Sequence, residues 1–193
     1  PFLLVILAVI PAVGGLICGI IKFKLFPVEK PELHEADVFI DGFHNERGII
    51  GGKNGLVRGI CSTITIGSGG SAGREGPSAM LGATIGSVFS KYLKFGEKES
   101  RRMVSAAGGV DIAALFKSPL GGAFFGIETL YRKDMEVESL IPSIICSIIA
   151  YIVSCYFFGW GPIYELREYD VSSILNPVSL LFFILLGLVC IPF

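Results

Sequence analysis

Three long stretches of this 193-residue chain contain no Asp, Glu, Lys or Arg: Pro1 to Ile21, Ser139 to Tyr164 and Val171 to Phe193. Each meets the roughly 18 to 20 apolar residues that a helix needs to cross the hydrocarbon of a bilayer, and so predicts a spanning helix. Between the first and second lie apolar pieces too short or too interrupted to cross alone. Gly59 to Gly73 and Gly76 to Ser90 are uncharged runs of 15 residues separated by Arg74 and Glu75. Met103 to Val110 and Ser118 to Ile127 are shorter still, broken by Asp111, Lys117 and Pro119. Short hydrophobic segments interrupted in this way point to discontinuous helices whose ends meet inside a membrane protein.

The pattern therefore predicts an all-α, polytopic membrane protein with short broken helices, in one transmembrane domain over 1–193. A spanning helix is expected over about 2–25, then a polar stretch, Pro27 to Asn54, with a short helix near 37–46. Helices follow near 55–66, 77–93, 100–115, 119–132, 138–158 and 176–193. The charged stretches near 27–54, 91–102 and 132–138 read as aqueous loops. Ser78, Gly82, Gly86 and Ser90 recur every fourth residue, which lets another backbone approach closely. The chain begins without Met and ends inside an apolar run, so it reads as a piece of a longer protein. Pro1 to Ile21 has no basic segment ahead of it and is read as a span rather than a signal peptide.

Composition agrees with the bilayer: 52% hydrophobic and 17% charged residues, with a mean hydropathy of +0.68, against about 25% charged for a soluble domain. A net charge of -1 and no basic block or basic-aromatic stripe argue against nucleic acid. The five cysteines are scattered through apolar sequence without CxxC spacing, so neither a zinc site nor a disulfide framework is expected. No metal or cofactor is implied, and neither His34 nor His44 stands in a recognisable nucleophile arrangement. Gly67 to Ala72 formally fits G-x-G-x-x-A after the strand-like Thr63 to Ile66, which makes a nucleotide-binding enzyme the remote alternative. As a lone motif it is weak, with no acid about 20 residues on and membrane-like flanks.

The informative stretch is Gly67-Ser-Gly-Gly-Ser-Ala-Gly-Arg-Glu-Gly-Pro77. Its glycines, Gly67, Gly69, Gly70, Gly73 and Gly76, would be costly within a helix, and Pro77 suits a first helical residue. An irregular loop running into a helix N-terminus is expected. Inside a membrane such a loop is tolerated only where protein buries it or a water-filled cavity meets it. The unpaired amides of Arg74, Glu75 and Gly76, with the helix dipole, then make an anion site. Neutral dipoles bind an ion strongly enough to admit it and weakly enough to release it.

Glu75 at that N-terminus has two readings. It complements the dipole as a simple acidic residue of the first turn, worth about 0.3–1 kcal/mol. Alternatively, its carboxylate is a tethered competitor that occupies the anion's place and leaves when protonated, so that pH gates the site. A carboxylate at depth costs about 2.5–3.5 kcal/mol on insertion scales, which favours the second reading if the loop is deep. For Arg74, a carboxylate partner and a contribution through its backbone N–H alone are both open.

Gly73-Arg74-Glu75-Gly76-Pro77, preceded by Ile64 to Ala72, resembles the GREGP signature of the CLC family of chloride channels and proton-coupled chloride antiporters. Phe116-Lys-Ser-Pro-Leu-Gly-Gly-Ala-Phe-Phe-Gly-Ile-Glu128 is similar to the family's F-N-A-P-x-A-G-x-x-F-x-x-E segment. The resemblance runs through nearly the whole chain, from family helix C to the start of helix J. It implies an inverted-repeat fold with about one repeat present, a homodimer with a pore in each subunit, and chloride as the transported anion. It also implies protons as a second substrate in the coupled members, and a multi-pass protein of the cell membrane. The glutamate it assigns as external gate is Glu75. The family's first anion-binding signature should fall near Leu33 to Asp37, where His34 is a candidate pore-lining donor or else a loop histidine. The internal proton-transfer glutamate is the second of two acids, and here Glu128 occupies the first position and Thr129 the second. That departure counts against proton coupling. A non-transporting membrane scaffold is the alternative reading, and Asp111, where relatives tend to carry a small residue, is left to a packing or hydrogen-bond role.

Overall fold

The computed structural model describes residues 2–131, 137–161, 163 and 177–190, which fall into two compact units, 1–160 and 161–193. Helices are the only regular elements among them. In the first unit, α1 spans Phe2–Ile20 and continues as a π-helical turn, Ile21–Leu25. Next come α2 (Glu35–His44), α3 (Gly52–Gly67) and α4 (Glu75–Tyr92). They are followed by α5 (Glu97–Gly108), α6 (Val110–Leu115) and α7 (Pro119–Glu128). A 3-10 turn, Val137–Ser139, leads into α8, Leu140–Phe158. The second unit contains α9, Pro177–Cys190.

Among the described residues, two stretches are long and apolar enough to cross a membrane, Leu7–Leu25 and Val137–Phe158. Their side chains are largely uncovered by the rest of the chain: Leu16 is 65% exposed and Phe157 73%. Such surfaces suit hydrocarbon, where they carry no cost. Of the third expected span, only the 14 residues of α9 are described; the rest of 171–193 lies outside the described residues. So do residues 132–136 of the expected loop at 132–138.

The core lies where the short helices cross. Phe39 and Phe43 of α2 are almost fully buried against Ala79 and Ala83 of α4, Val104 of α5, and Ile50 and Leu130. The stretch 27–54 is thus more than a polar loop, because one face of its helix supplies the largest core side chains. The small-residue stripe on α4 packs as its spacing predicts. A methyl group on Gly82 would lie 2.2 Å from the Ala107 carbonyl oxygen, and one on Gly86 2.9 Å from that of Met103.

The single helix expected over 100–115 is broken at Gly109 into α5 and α6. Backbones cross there at the closest approach in this region: a methyl group on Gly109 would lie 2.0 Å from the Gly122 carbonyl oxygen. Ser105 Oγ completes the junction by donating to the Gly126 carbonyl at 3.1 Å. Two successive poor helix formers, Gly108 and Gly109, yield to that crossing. The following helix ends at Glu128, short of the expected 132, with Thr129 as its C-cap.

Candidate anion site

The glycine-rich loop begins one residue later than expected, because Gly67 is the last residue of α3. Its stop is a Schellman motif. Gly69 takes a left-handed φ of 88°, its N–H donates to Ile66, and Gly70 N–H donates back to Thr65 at 2.8 Å. These two bonds satisfy carbonyls that the helix end leaves open. A side chain on Gly70 would meet the Thr65 carbonyl at 2.8 Å. Gly69 and Gly70 therefore act in ending α3.

The next helix starts at Glu75 with Arg74 as N-cap, so Pro77 is its third residue, not its first. The reason is simple: the first four amides of a helix have no intrahelical acceptor, so a residue lacking N–H fits anywhere in that turn. Glu75 is half-buried. Its carboxylate folds back over the loop, with Oε2 2.8 Å from where a Gly73 side chain would begin. A side chain at Gly73 would require that flexible carboxylate to move.

A second helix N-terminus meets this one. The space beside Gly76 is bounded by the backbone nitrogen and Cβ of Ala36, 3.8 and 3.9 Å from a Cβ placed there. Ala36 is the second residue of α2, whose N-cap is His34. The open amides of two helix ends therefore lie side by side although 40 residues separate them in sequence. The His34 side chain is exposed and makes no capping hydrogen bond. The Arg74 guanidinium lies over the Phe116 ring, 5.4 Å from its centroid, so its partner is an aromatic face rather than the carboxylate considered from sequence. Behind the loop, a cavity of about 300 Å³ is lined by Thr63, Ile66, Gly67, Arg74, Pro77 and Ser78 among others.

The family model described as "Voltage gated chloride channel" matches residues 14–191. The chain belongs to the voltage gated chloride channel family. The voltage-gated ClC-type chloride channel ClcB of Shigella flexneri is 30% identical over 147 residues, 75% of this chain and 34% of that protein. ClcB of Yersinia pseudotuberculosis is 27% identical over 184 residues, 94% and 43% of the two chains. Chloride channel protein CLC-f of Arabidopsis thaliana is 27% identical over 189 residues, 94% and 23%. The chain spans less than half the length of these relatives. No solved structure matches it.

Two further positions marked by the family resemblance lie at the other end of α7. Thr129 lines a hollow of about 550 Å³ with Ile40, His44, Leu130 and Tyr131, while Glu128 is exposed. Glu75 is not among the walls of that hollow. The His44 ring nitrogen Nε2 lies 2.6 Å from the Leu130 carbonyl and so carries the hydrogen that bonds it.

Two residues near the helix junctions depart from the sequence reading: Arg58 gains a role it missed, and Asp111 lacks the hydrogen bond considered for it. Arg58 of α3 is 2% exposed and binds the segment that leads into α2. It donates to the carbonyls of Leu33 (2.8 Å), Glu29 (2.8 Å) and Lys30 (2.6 Å), and to Asn54 Oδ1 (3.2 Å). The other is Asp111, in the first turn of α6. Both its carboxylate oxygens are shut off from solvent and neither accepts a hydrogen bond. A favourable place at a helix start, about 0.3–1 kcal/mol, is smaller than the roughly 2.5–3.5 kcal/mol that a carboxylate costs at membrane depth.

Proposed function

We propose that the complete protein passes chloride or a similar small anion across a membrane, through a site where α2 and α4 begin, with Glu75 as its gate. The observation that carries this reading is the meeting of two helix N-termini, Ala36 beside Gly76, at the residue whose carboxylate folds over Gly73. Each N-terminus offers about half a positive charge and several open amides. An ion between them is held by dipoles alone, which favours admission and release over permanent binding. Deprotonated, Glu75 competes for that place; protonated, it no longer does.

The family and the names of the relatives support chloride as the anion, and the two apolar spans support a multi-pass protein of the cell membrane. A homodimer with one pore in each subunit is part of the same proposal. Thr129, where the family's proton-transfer glutamate is expected, favours a channel over a proton-coupled antiporter.

The test is chloride flux from liposomes holding the full-length protein, measured across pH for wild type and Glu75→Gln. Glu75→Gln is expected to be open at neutral pH and largely insensitive to pH. Retention of the wild-type pH profile overturns the gate, and absence of flux in the wild type favours a membrane scaffold instead.

A further inference from the structure

We propose that Lys22 tunes the affinity of the anion site by neutralising Glu35, a carboxylate anchored where α2 begins. The inference rests on the reading of the Ala36 and Gly76 junction as that site. Its own ground is an ion pair: Lys22 Nζ lies 3.4 Å from Glu35 Oε1, and the two side chains are only 26% and 19% exposed. Glu35 is the first residue of α2 and directly precedes Ala36, whose backbone nitrogen borders the space beside Gly76. A negative charge is thus fixed to the same helical turn whose open amides are to receive an anion. Unbalanced, it would repel chloride there, and a partly covered carboxylate that loses its cation is left uncompensated.

The fold delivers this cation through a local departure from the α-helix. The π-helical turn Ile21–Leu25 that ends α1 is closed by Phe26 N–H donating to the Ile21 carbonyl at 2.8 Å, and Val28 N–H donates to the Lys22 carbonyl at 3.2 Å. Such turns are uncommon and concentrate at functional positions. On either side of the lysine, Ile21 and Val28 pack against Cys18, Val57 and Cys61, so its backbone is anchored on α3. The other cations of the region are engaged elsewhere. Arg58 donates to the carbonyls of Leu33, Glu29 and Lys30, Lys30 pairs with Asp41 and Glu46, and Lys53 lies over the Phe26 ring. The neighbouring acids Glu29, Glu32 and Asp37 are exposed, where water and salt screen them, whereas Glu35 is half-buried. Glu35 is therefore the acid of this segment whose charge most needs a partner, and Lys22 supplies it.

The experiment is calorimetric titration of chloride into the full-length protein in detergent at neutral pH. All variants are made on Glu75→Gln, which removes the tethered competitor and serves as parent. Adding Lys22→Gln should weaken chloride binding at least about threefold, the effect in water of a unit charge roughly 6 Å from the anion. Adding Glu35→Gln should tighten it by a similar factor, and adding both should return the affinity to that of the parent. Parent affinity in the Lys22→Gln protein overturns the proposal. So does a double substitution as weak as Lys22→Gln alone, since the lysine would then act on the anion directly. Should Lys22→Gln fail to assemble, Glu35→Gln decides by itself: chloride binding no tighter than in the parent refutes the pair. A parent that binds no chloride overturns the anion site beneath the proposal, whereas equal affinities across the series leave that site standing and remove only the role of Lys22.

Discussion

Removing the Arg58 guanidinium tests whether the start of α2 is held in place by one side chain. Its Nη1 and Nη2 donate to three backbone carbonyls at 2.6–2.8 Å, and no carboxylate within ion-pair distance balances the charge among the described residues. Hydrogen bonds to a charged group are worth about 1.5–3 kcal/mol each. Two of the three acceptors belong to exposed residues, Glu29 and Lys30, so water replaces part of what is lost. Arg58→Met also removes a buried cation that is expensive to desolvate. The net expectation is a loss of about 2–4 kcal/mol, below the sum of three bonds. Arg58→Lys discriminates between charge and shape, since a single ammonium keeps the charge but cannot span three carbonyls as the planar fork does. It should be no more stable than Arg58→Met. The assay is heating of the purified full-length protein in detergent, scored by the fraction that stays monodisperse. Midpoints are compared at one heating rate, because irreversible unfolding makes the apparent midpoint depend on that rate. Anion binding should weaken in both variants, since the amide of Ala36 loses its fixed place. A wild-type midpoint in Arg58→Met, or a lysine variant clearly above it, refutes the reasoning.

Two more outcomes follow from the packing and from the polar stretch. Gly109→Ala places a methyl group 2.0 Å from the Gly122 carbonyl oxygen, backbone against backbone, so α6 must separate from α7. A loss above about 3 kcal/mol is expected, seen as aggregation during detergent extraction, and wild-type yield and melting would contradict it. The second outcome concerns Asp41. Its carboxylate is held below its ordinary value chiefly by the Lys30 ammonium and next by the Asn45 amide, and Lys30 is raised chiefly by Asp41 and next by Glu46. A lowered carboxylate stabilises the fold above its unfolded value of about 4 and loses that contribution as pH falls through the folded value. A raised lysine stabilises below about 10.5 and loses it as pH rises through the folded value. The pair should thus contribute evenly between those limits, weakly because it is exposed to solvent and salt. Asp41→Asn should flatten part of the acid-side slope in melting against pH at low salt; an unchanged slope would show the pair to be idle.

What the chain reveals as a string is set by local rules, and what it hides is set by approach. Apolar runs and their interruptions located the described helices to within about four residues, with α5 and α6 read as one, because helix ends and membrane spans depend on neighbours in sequence. The GREGP stretch likewise announced a helix N-terminus. Gly69 and Gly70 could not be separated from Gly73 by composition, yet they have different duties. The first two close α3 through bonds to Ile66 and Thr65, while Gly73 lies against the Glu75 carboxylate. The break at Gly109 was invisible because its cause is the α7 backbone. Arg58 left one faint signal, a lone cation at the edge of a 15-residue uncharged run, which is costly unless something distant satisfies it. Asp111 was visible as an oddity and unintelligible as one, since the enclosure of its carboxylate is made only by the folded chain. The same holds for the candidate site: one helix N-terminus is an ordinary feature of a helical fold, and the second, contributed by α2, becomes apparent only when Ala36 is found beside Gly76. The residues that turn a signature into a candidate mechanism are those whose partners the folding of the chain alone supplies.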